Sequence, residues 1–214
     1  MNQDVLRQID DYKLVAFIRT SIPEDTESVV ASLLDGGIRL FEVAVTIPQS
    51  FKIIENLAKK DGILVGAGSV QDGEIAQKAI NSGARFVAGS FIDKDVIYLC
   101  RNNDTVVIQG ALTATEAMSA VKLGVDIVEI YPVDLVGGPA YIKALRGPFP
   151  SLKLMPSGGI TVENAMDYIK LGVTGIVLSN SVLEKSLIRA NNWDEIRERA
   201  KQLTEKVESL KAVK

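Results

Sequence analysis

Eight short runs rich in β-branched residues recur almost from end to end of this chain. They are Leu14–Ile18, Leu40–Val45, Ile63–Gly66, Phe86–Ala88, Val106–Ile108, Ile127–Ile130, Leu152–Met155 and Gly175–Leu178. Each closes on small or polar residues and is followed by a stretch of helical periodicity, the alternation that builds a parallel sheet covered by helices. Gly37, Gly83, Gly124 and Gly172 each end a helical stretch and introduce a similar strand phrase, at intervals of 46, 41 and 48 residues. A unit of two strands and two helices, four times over, gives eight of each. So short a repeat argues for a barrel with minimal loops over a doubly wound open sheet, and predicts an α/β fold: one (β/α)8 TIM barrel over residues 1–214. Terminal helices are expected at about 1–12 and 192–214. The second carries Ile196, Leu203, Val207 and Leu210 between charges, an amphipathic pattern suited to packing on the barrel wall.

At 214 residues the chain suffices for one substantial core and leaves no surplus for a second domain. A formal charge of −3 with no basic stripe argues against nucleic acid as a partner. No apolar run reaches the roughly 18 residues of a membrane span, and residues 1–12 are polar and acidic rather than signal-like. The one cysteine, Cys100, excludes an internal disulfide framework and fits the cytoplasm. Histidine is absent, so proton transfer falls to carboxylates, lysine, tyrosine or water, and Ser-His or Cys-His catalysis is excluded.

Barrels of this kind place their chemistry at the carboxyl ends of the strands. In the second strand a period of two puts Leu40, Glu42, Ala44 and Thr46 on one face and Phe41, Val43 and Val45 on the other. The second face is wholly apolar and must pack under helices, so Glu42 points into the barrel, where an unpaired charge is expensive unless it has a function. Strand three runs into Gly66-Ala67-Gly68-Ser69, which suits either close approach of a ligand or a tight turn. Strand seven ends Ser157-Gly158-Gly159, with Thr161 expected to start a helix, and strand eight ends Ser179-Asn180. Loops at these two positions frequently bind phosphate through backbone amides, so the four residues Gly158, Gly159, Ser179 and Asn180 are read as an anion site, with turn chemistry as the alternative. Arg19, the basic residue at a strand end, is placed either to grip a substrate carboxylate or to neutralise Glu42.

With these residues in hand the chain resembles the 2-keto-3-deoxy-6-phosphogluconate / 4-hydroxy-2-oxoglutarate (KDPG/KHG) aldolase family over roughly residues 13 to 190. The resemblance rests on Gly36-Gly37 before Phe41-Glu42-Val43, Gly66-Ala67-Gly68-Ser69-Val70, Gly110-Ala111-Leu112-Thr113, Tyr131-Pro132, Arg146-Gly147-Pro148-Phe149-Pro150 and Pro156-Ser157-Gly158-Gly159-Ile160. It implies a lyase: a homotrimer of barrels, needing no metal, that cleaves phosphorylated or short 2-oxo acids through a lysine imine while a glutamate shuttles protons. Glu42 matches that glutamate; Ser69 and Ser157 stand where threonine is usual. The lysine, on strand six two residues before a Phe-Pro pair, has no match: Val128-Glu129-Ile130-Tyr131-Pro132 puts Glu129 in its place. Lys122, Lys143 and Lys153 are nearest in sequence, the first two on expected helices and the third at the wrong end of its strand. Other departures gather at the same mouth: Gly89-Ser90 for Ser-Pro, Gln109-Gly110 for Pro-Gly, no arginine near Thr46 where some members carry a carboxylate-binding one, and Ser179 for a glycine.

The expectation is therefore a pocket for a small anionic, phosphorylated 2-oxo acid, with Glu42 and Glu129 as its reacting groups. Arg19, Thr46, Ser69, Gln109, Pro132 and Ser157 are expected around the substrate. Two carboxyls in one confined pocket cannot both ionise cheaply unless a cation lies between them. Three alternatives stay open: acid–base chemistry by the pair in a lyase or isomerase, a divalent metal coordinated by both glutamates in place of the imine, or ligand binding without turnover.

Overall fold

Eight parallel strands and their helices alternate along the computed structural model, which describes residues 2–20 and 23–212. Helix α1 (Asn2–Tyr12) precedes strand β1 (Leu14–Ile18). Then come α2 (Pro23–Asp35) and β2 (Leu40–Ala44), α3 (Ser50–Ala58) and β3 (Leu64–Gly68), α4 (Gly73–Asn81) and β4 (Phe86–Gly89), and α5 (Lys94–Asn102) and β5 (Val106–Ala111). They are followed by α6 (Ala114–Leu123) and β6 (Ile127–Ile130), α7 (Pro139–Arg146) and β7 (Leu154–Pro156), and α8 (Ala165–Lys170) and β8 (Ile176–Leu178). A 3-10 turn (Asp134–Val136) lies between β6 and α7, and α9 (Lys185–Arg189) and α10 (Trp193–Ala212) follow β8. Strands β1 to β7 pair in sequence order, β8 pairs with β1, and a parallel bridge between Ser157 and Val177 joins β7 to β8. The ring closes as a (β/α)8 barrel.

Local chemistry explains why the helices start and stop where they do. The Asp72 and Asp93 side chains accept from the backbone N–H groups of Ile75 and Val96, capping α4 and α5. Thr113 and Glu116 form a reciprocal capping box on α6, which stops at Gly124 with φ 94°, a left-handed conformation that only glycine adopts without strain. Gly36 serves a different end: any side chain there would collide with Ala200 of α10. That close approach seats α10 on α2, with Ile196, Ala200, Leu203 and Val207 buried and the Thr204 hydroxyl donating to the Gly36 carbonyl at 2.7 Å.

Two apolar layers result. Phe41, Val43, Val65, Val87 and Val107 face outward under the helices, whereas Val15, Leu40, Leu64, Phe86, Val106, Ile108, Ile127, Met155 and Val177 fill the barrel interior. Helix α1 closes the amino-terminal end of the barrel with Val5, Leu6 and Ile9, each buried side chain contributing roughly 1.5–3 kcal/mol.

Several boundaries differ from the sequence-based expectation. Strand β3 runs two residues further, to Gly68, because its glycines belong to the ladder: Gly66 pairs with Glu42, and Gly68 with Ala44. Side chains at these positions would collide with the Phe86 ring and the Glu42 carboxylate respectively, so both glycines make room for interior groups. Strand β7 begins at Leu154 rather than Leu152, and β2 stops at Ala44. Helix α8 starts at Ala165, not Thr161, because Asn164 folds back: its Oδ1 accepts from the Thr161 N–H at 2.8 Å and its Nδ2 donates to the Gly159 carbonyl at 3.1 Å. The expected first and last helices are present as α1 and α10; Met1, Val213 and Lys214 lie outside the described residues.

Candidate active site

A cavity of about 440 Å³ opens at the carboxyl ends of the strands. It is lined by ten of the residues expected from the sequence: Arg19, Glu42, Ser69, Glu129, Pro132, Ser157, Gly158, Gly159, Ser179 and Asn180. Alternation along the strands puts them there. Leu40 and Ile127 face the barrel core, so Glu42 and Glu129, two residues on, face the same axis one layer higher. Ser69, which follows β3, takes a left-handed conformation at φ 59°, uncommon for a residue with a side chain.

Strands β2 and β6 lie four apart in the ring, so the two glutamates face each other across the barrel. Glu42 is 4% exposed and Glu129 8% exposed. The Glu42 Oε2 is buried with no hydrogen-bond partner among the described residues. Burial, and secondarily the charge of Glu129, pushes the Glu42 carboxyl well above the usual carboxylate range. Burial also raises Glu129, to about 7, although a hydrogen bond with the Ser157 side chain pulls the other way. Chemically the pair can hold and pass a proton, or it can hold a cation.

Two expected residues are not brought to the cavity. Thr46 is exposed in the turn after β2, where the Ile47 N–H donates to the Ala44 carbonyl at 3.2 Å and carries the chain off the axis. Gln109 points outward because its neighbour Ile108 faces the interior. It is fully buried, with Oε1 accepting from the Asp93 N–H at 2.8 Å and Nε2 donating to the Ile108 carbonyl at 3.0 Å, so it supports the β4–α5 connection. Sequence reasoning missed Phe17 and Asp134, which also line the cavity. Alternation from Val15 would have placed Phe17. Asp134 sits in a turn where no periodicity applies; its carboxylate lies against Gly159, close enough that any side chain at Gly159 would collide with it.

Among the described residues no lysine lines the cavity. Lys122 and Lys143 are exposed on α6 and α7, and Lys153 is exposed before the start of β7. Arg19 is the basic residue of the lining, and among the described residues no ion pair joins it to either glutamate. Among the described residues no group of three or more His, Cys, Asp or Glu side chains could hold a metal ion by itself, and no helix is long and apolar enough to cross a membrane.

Comparison with known proteins identifies this barrel. A 2-dehydro-3-deoxy-phosphogluconate aldolase of Haemophilus influenzae is 30% identical over 197 residues, 91% of this chain and 92% of that protein. A 2-dehydro-3-deoxy-6-phosphogalactonate aldolase of Escherichia coli K12 is 30% identical over 172 residues, 79% of this chain and 83% of that protein. Among solved structures, the KDPG aldolase of Legionella pneumophila, with pyruvate captured as a covalent carbinolamine, superposes with a TM-score of 0.85. It is 24% identical, and the match covers 93% of this chain and 97% of that one. The family model described as KDPG and KHG aldolase matches residues 5–199, and the chain belongs to that aldolase family.

Proposed function

We propose that the chain is a lyase of the aldolase class that takes a small anionic 2-oxo acid into the Glu42–Glu129 cavity and opens a carbon–carbon bond without forming an imine. One observation carries this reading: two buried carboxyl groups face each other where the family resemblance implies one glutamate and one lysine. A carboxylate cannot condense with a carbonyl to an imine, and no lysine among the described residues lines the cavity. The relatives favour an aldolase over an isomerase or a ligand-binding paralogue.

Aldol cleavage asks two things of a pocket. A base must take the proton of the hydroxyl on C4, and a polarising group must hold the electron pair that collects on the C2 oxygen as the C3–C4 bond opens. The proton then returns to C3 and gives the shorter 2-oxo acid. Glu42, which the resemblance implies as proton carrier, is assigned the first task. Glu129, on the opposite wall, is assigned the second task, donating a hydrogen bond from its protonated form to the C2 oxygen. Arg19 is assigned the substrate carboxylate, with Ser69, Ser157 and Pro132 shaping the walls. Gly158, Gly159, Ser179 and Asn180 are assigned the phosphate of a phosphorylated substrate. The same reading extends to a homotrimer in the cytoplasm, supported by the family resemblance and by a single, buried thiol.

The test is release of pyruvate from 4-hydroxy-2-oxoglutarate and from 2-keto-3-deoxy-6-phosphogluconate, followed with a lactate dehydrogenase couple. Glu42→Gln should lower kcat about 100-fold or more, the usual scale for removing a general base. Failure of the native protein to release pyruvate, or an unchanged rate in Glu42→Gln, would overturn the reading.

A further inference from the structure

We infer that the cavity holds a divalent cation, Mg²⁺ or Mn²⁺, between Glu42 and Glu129, in a site that the bound 2-oxo acid itself completes. This rests on the reading of the cavity as a 2-oxo-acid site, and with the ion in place the polarising task assigned to Glu129 passes to the ion that Glu129 helps to hold.

The first observation is the unpartnered oxygen. Glu42 Oε1 packs over Gly68, where a side chain would collide with it, while Oε2 is buried in a residue only 4% exposed and has no partner among the described residues. A buried oxygen without a donor is costly, and it marks a place that a ligand should fill. The facing carboxyl of Glu129 supplies a second hard oxygen donor from across the barrel.

The second observation is the charge of the walls. Glu42, Glu129 and Asp134 set three carboxyl groups in the lining against the one guanidinium of Arg19. A 2-oxo acid adds another negative charge, and a phosphate adds more. A divalent ion between the glutamates takes the place of the protons that burial keeps on them, and supplies the positive counterpart that the anion meets there.

The ligand chemistry points the same way. Mg²⁺ and Mn²⁺ prefer oxygen donors, and Mg²⁺ is commonly held by one or two carboxylates, with substrate and water filling the remaining positions. A 2-oxo acid carries its carboxylate and oxo oxygens on adjacent carbons, the arrangement that chelates such an ion in a five-membered ring. Glu42 and Glu129 would give the ion one oxygen donor from each wall, and the oxo acid would give it two more. An ion on the oxo oxygen would polarise it as a Lewis acid, the service a protonated imine gives elsewhere in the family.

The prediction is thermodynamic coupling between ion and oxo acid. Metal-free protein should be titrated calorimetrically with Mn²⁺, alone and with saturating pyruvate, and with pyruvate in the absence and presence of Mn²⁺. Mn²⁺ should bind at least tenfold more tightly when pyruvate is present, and pyruvate should gain by the same factor, as linkage requires. Glu129→Gln and Glu42→Gln, each checked for folding by circular dichroism, should abolish the coupling. Pyruvate binding that is indifferent to Mn²⁺ would overturn the cation site and leave the oxo-acid reading standing. Coupling that survives in either folded variant would place the ion elsewhere and overturn the assignment. No pyruvate binding under any condition would overturn both.

Discussion

Glu129→Gln should make this protein more stable at neutral pH, by an amount that grows as pH rises. Burial holds the Glu129 carboxyl at about 7 in the fold, against 4.5 ordinarily. Between pH 4.5 and about 7 the folded chain therefore keeps a proton that the unfolded chain has released, so stability falls as pH rises through that window and levels off above it. At 1.36 kcal/mol per pH unit, the window costs roughly 3 kcal/mol. For a chain of this length that corresponds to roughly 6–12 °C in Tm. Glutamine keeps the shape and the capacity to hydrogen-bond Ser157, removes the charge, and also relieves Glu42, which the Glu129 charge helps to raise. Thermal unfolding of both proteins from pH 4.5 to 8, in a chelator so that no cation compensates, isolates the effect, because the exposed carboxylates are common to both. The variant should match the native protein near pH 4.5 and lead it by roughly 6–12 °C at pH 8. A difference that does not change with pH, or a variant less stable at pH 8, would refute the reasoning.

Two further predictions concern residues around that pair. Burial, with the charge of Asp126 second, pushes the Cys100 thiol up to about 12, so at pH 8 the native thiol should react with Ellman's reagent only as fast as the protein unfolds; the rate of a free cysteine would contradict this. Gly68→Ala drives a methyl group into the Glu42 carboxylate and should cost about 1–3 kcal/mol in urea unfolding; an unchanged midpoint would contradict that packing.

The barrel was legible because it is written in periodicities. Alternation in Leu40-Phe41-Glu42-Val43 settles which residues turn inward, and the recurrence of Gly37, Gly83, Gly124 and Gly172 counts the units. The same rule, applied from Ile108, would have turned Gln109 outward; reading it instead from its place at a strand end gave the wrong wall. Thr46 was misplaced because β2 stops two residues sooner, at a turn fixed by backbone hydrogen bonds rather than by side-chain pattern. The late start of α8 depends on a single side chain, Asn164, folding back onto Gly159 and Thr161. Asp134 carries no sequence signal at all: only the path of the β6–α7 connection sets its carboxylate against Gly159.

The central claim is that Glu129 ended imine chemistry in this pocket, and trapping tests it most directly. The native protein and Glu129→Lys would each be incubated with pyruvate and sodium borohydride and weighed intact by mass spectrometry. The account predicts an unmodified native protein and a reduced pyruvate adduct on the lysine variant. An adduct on a lysine of the native protein would contradict it, because an amine outside the described cavity lining would then be doing the family's chemistry.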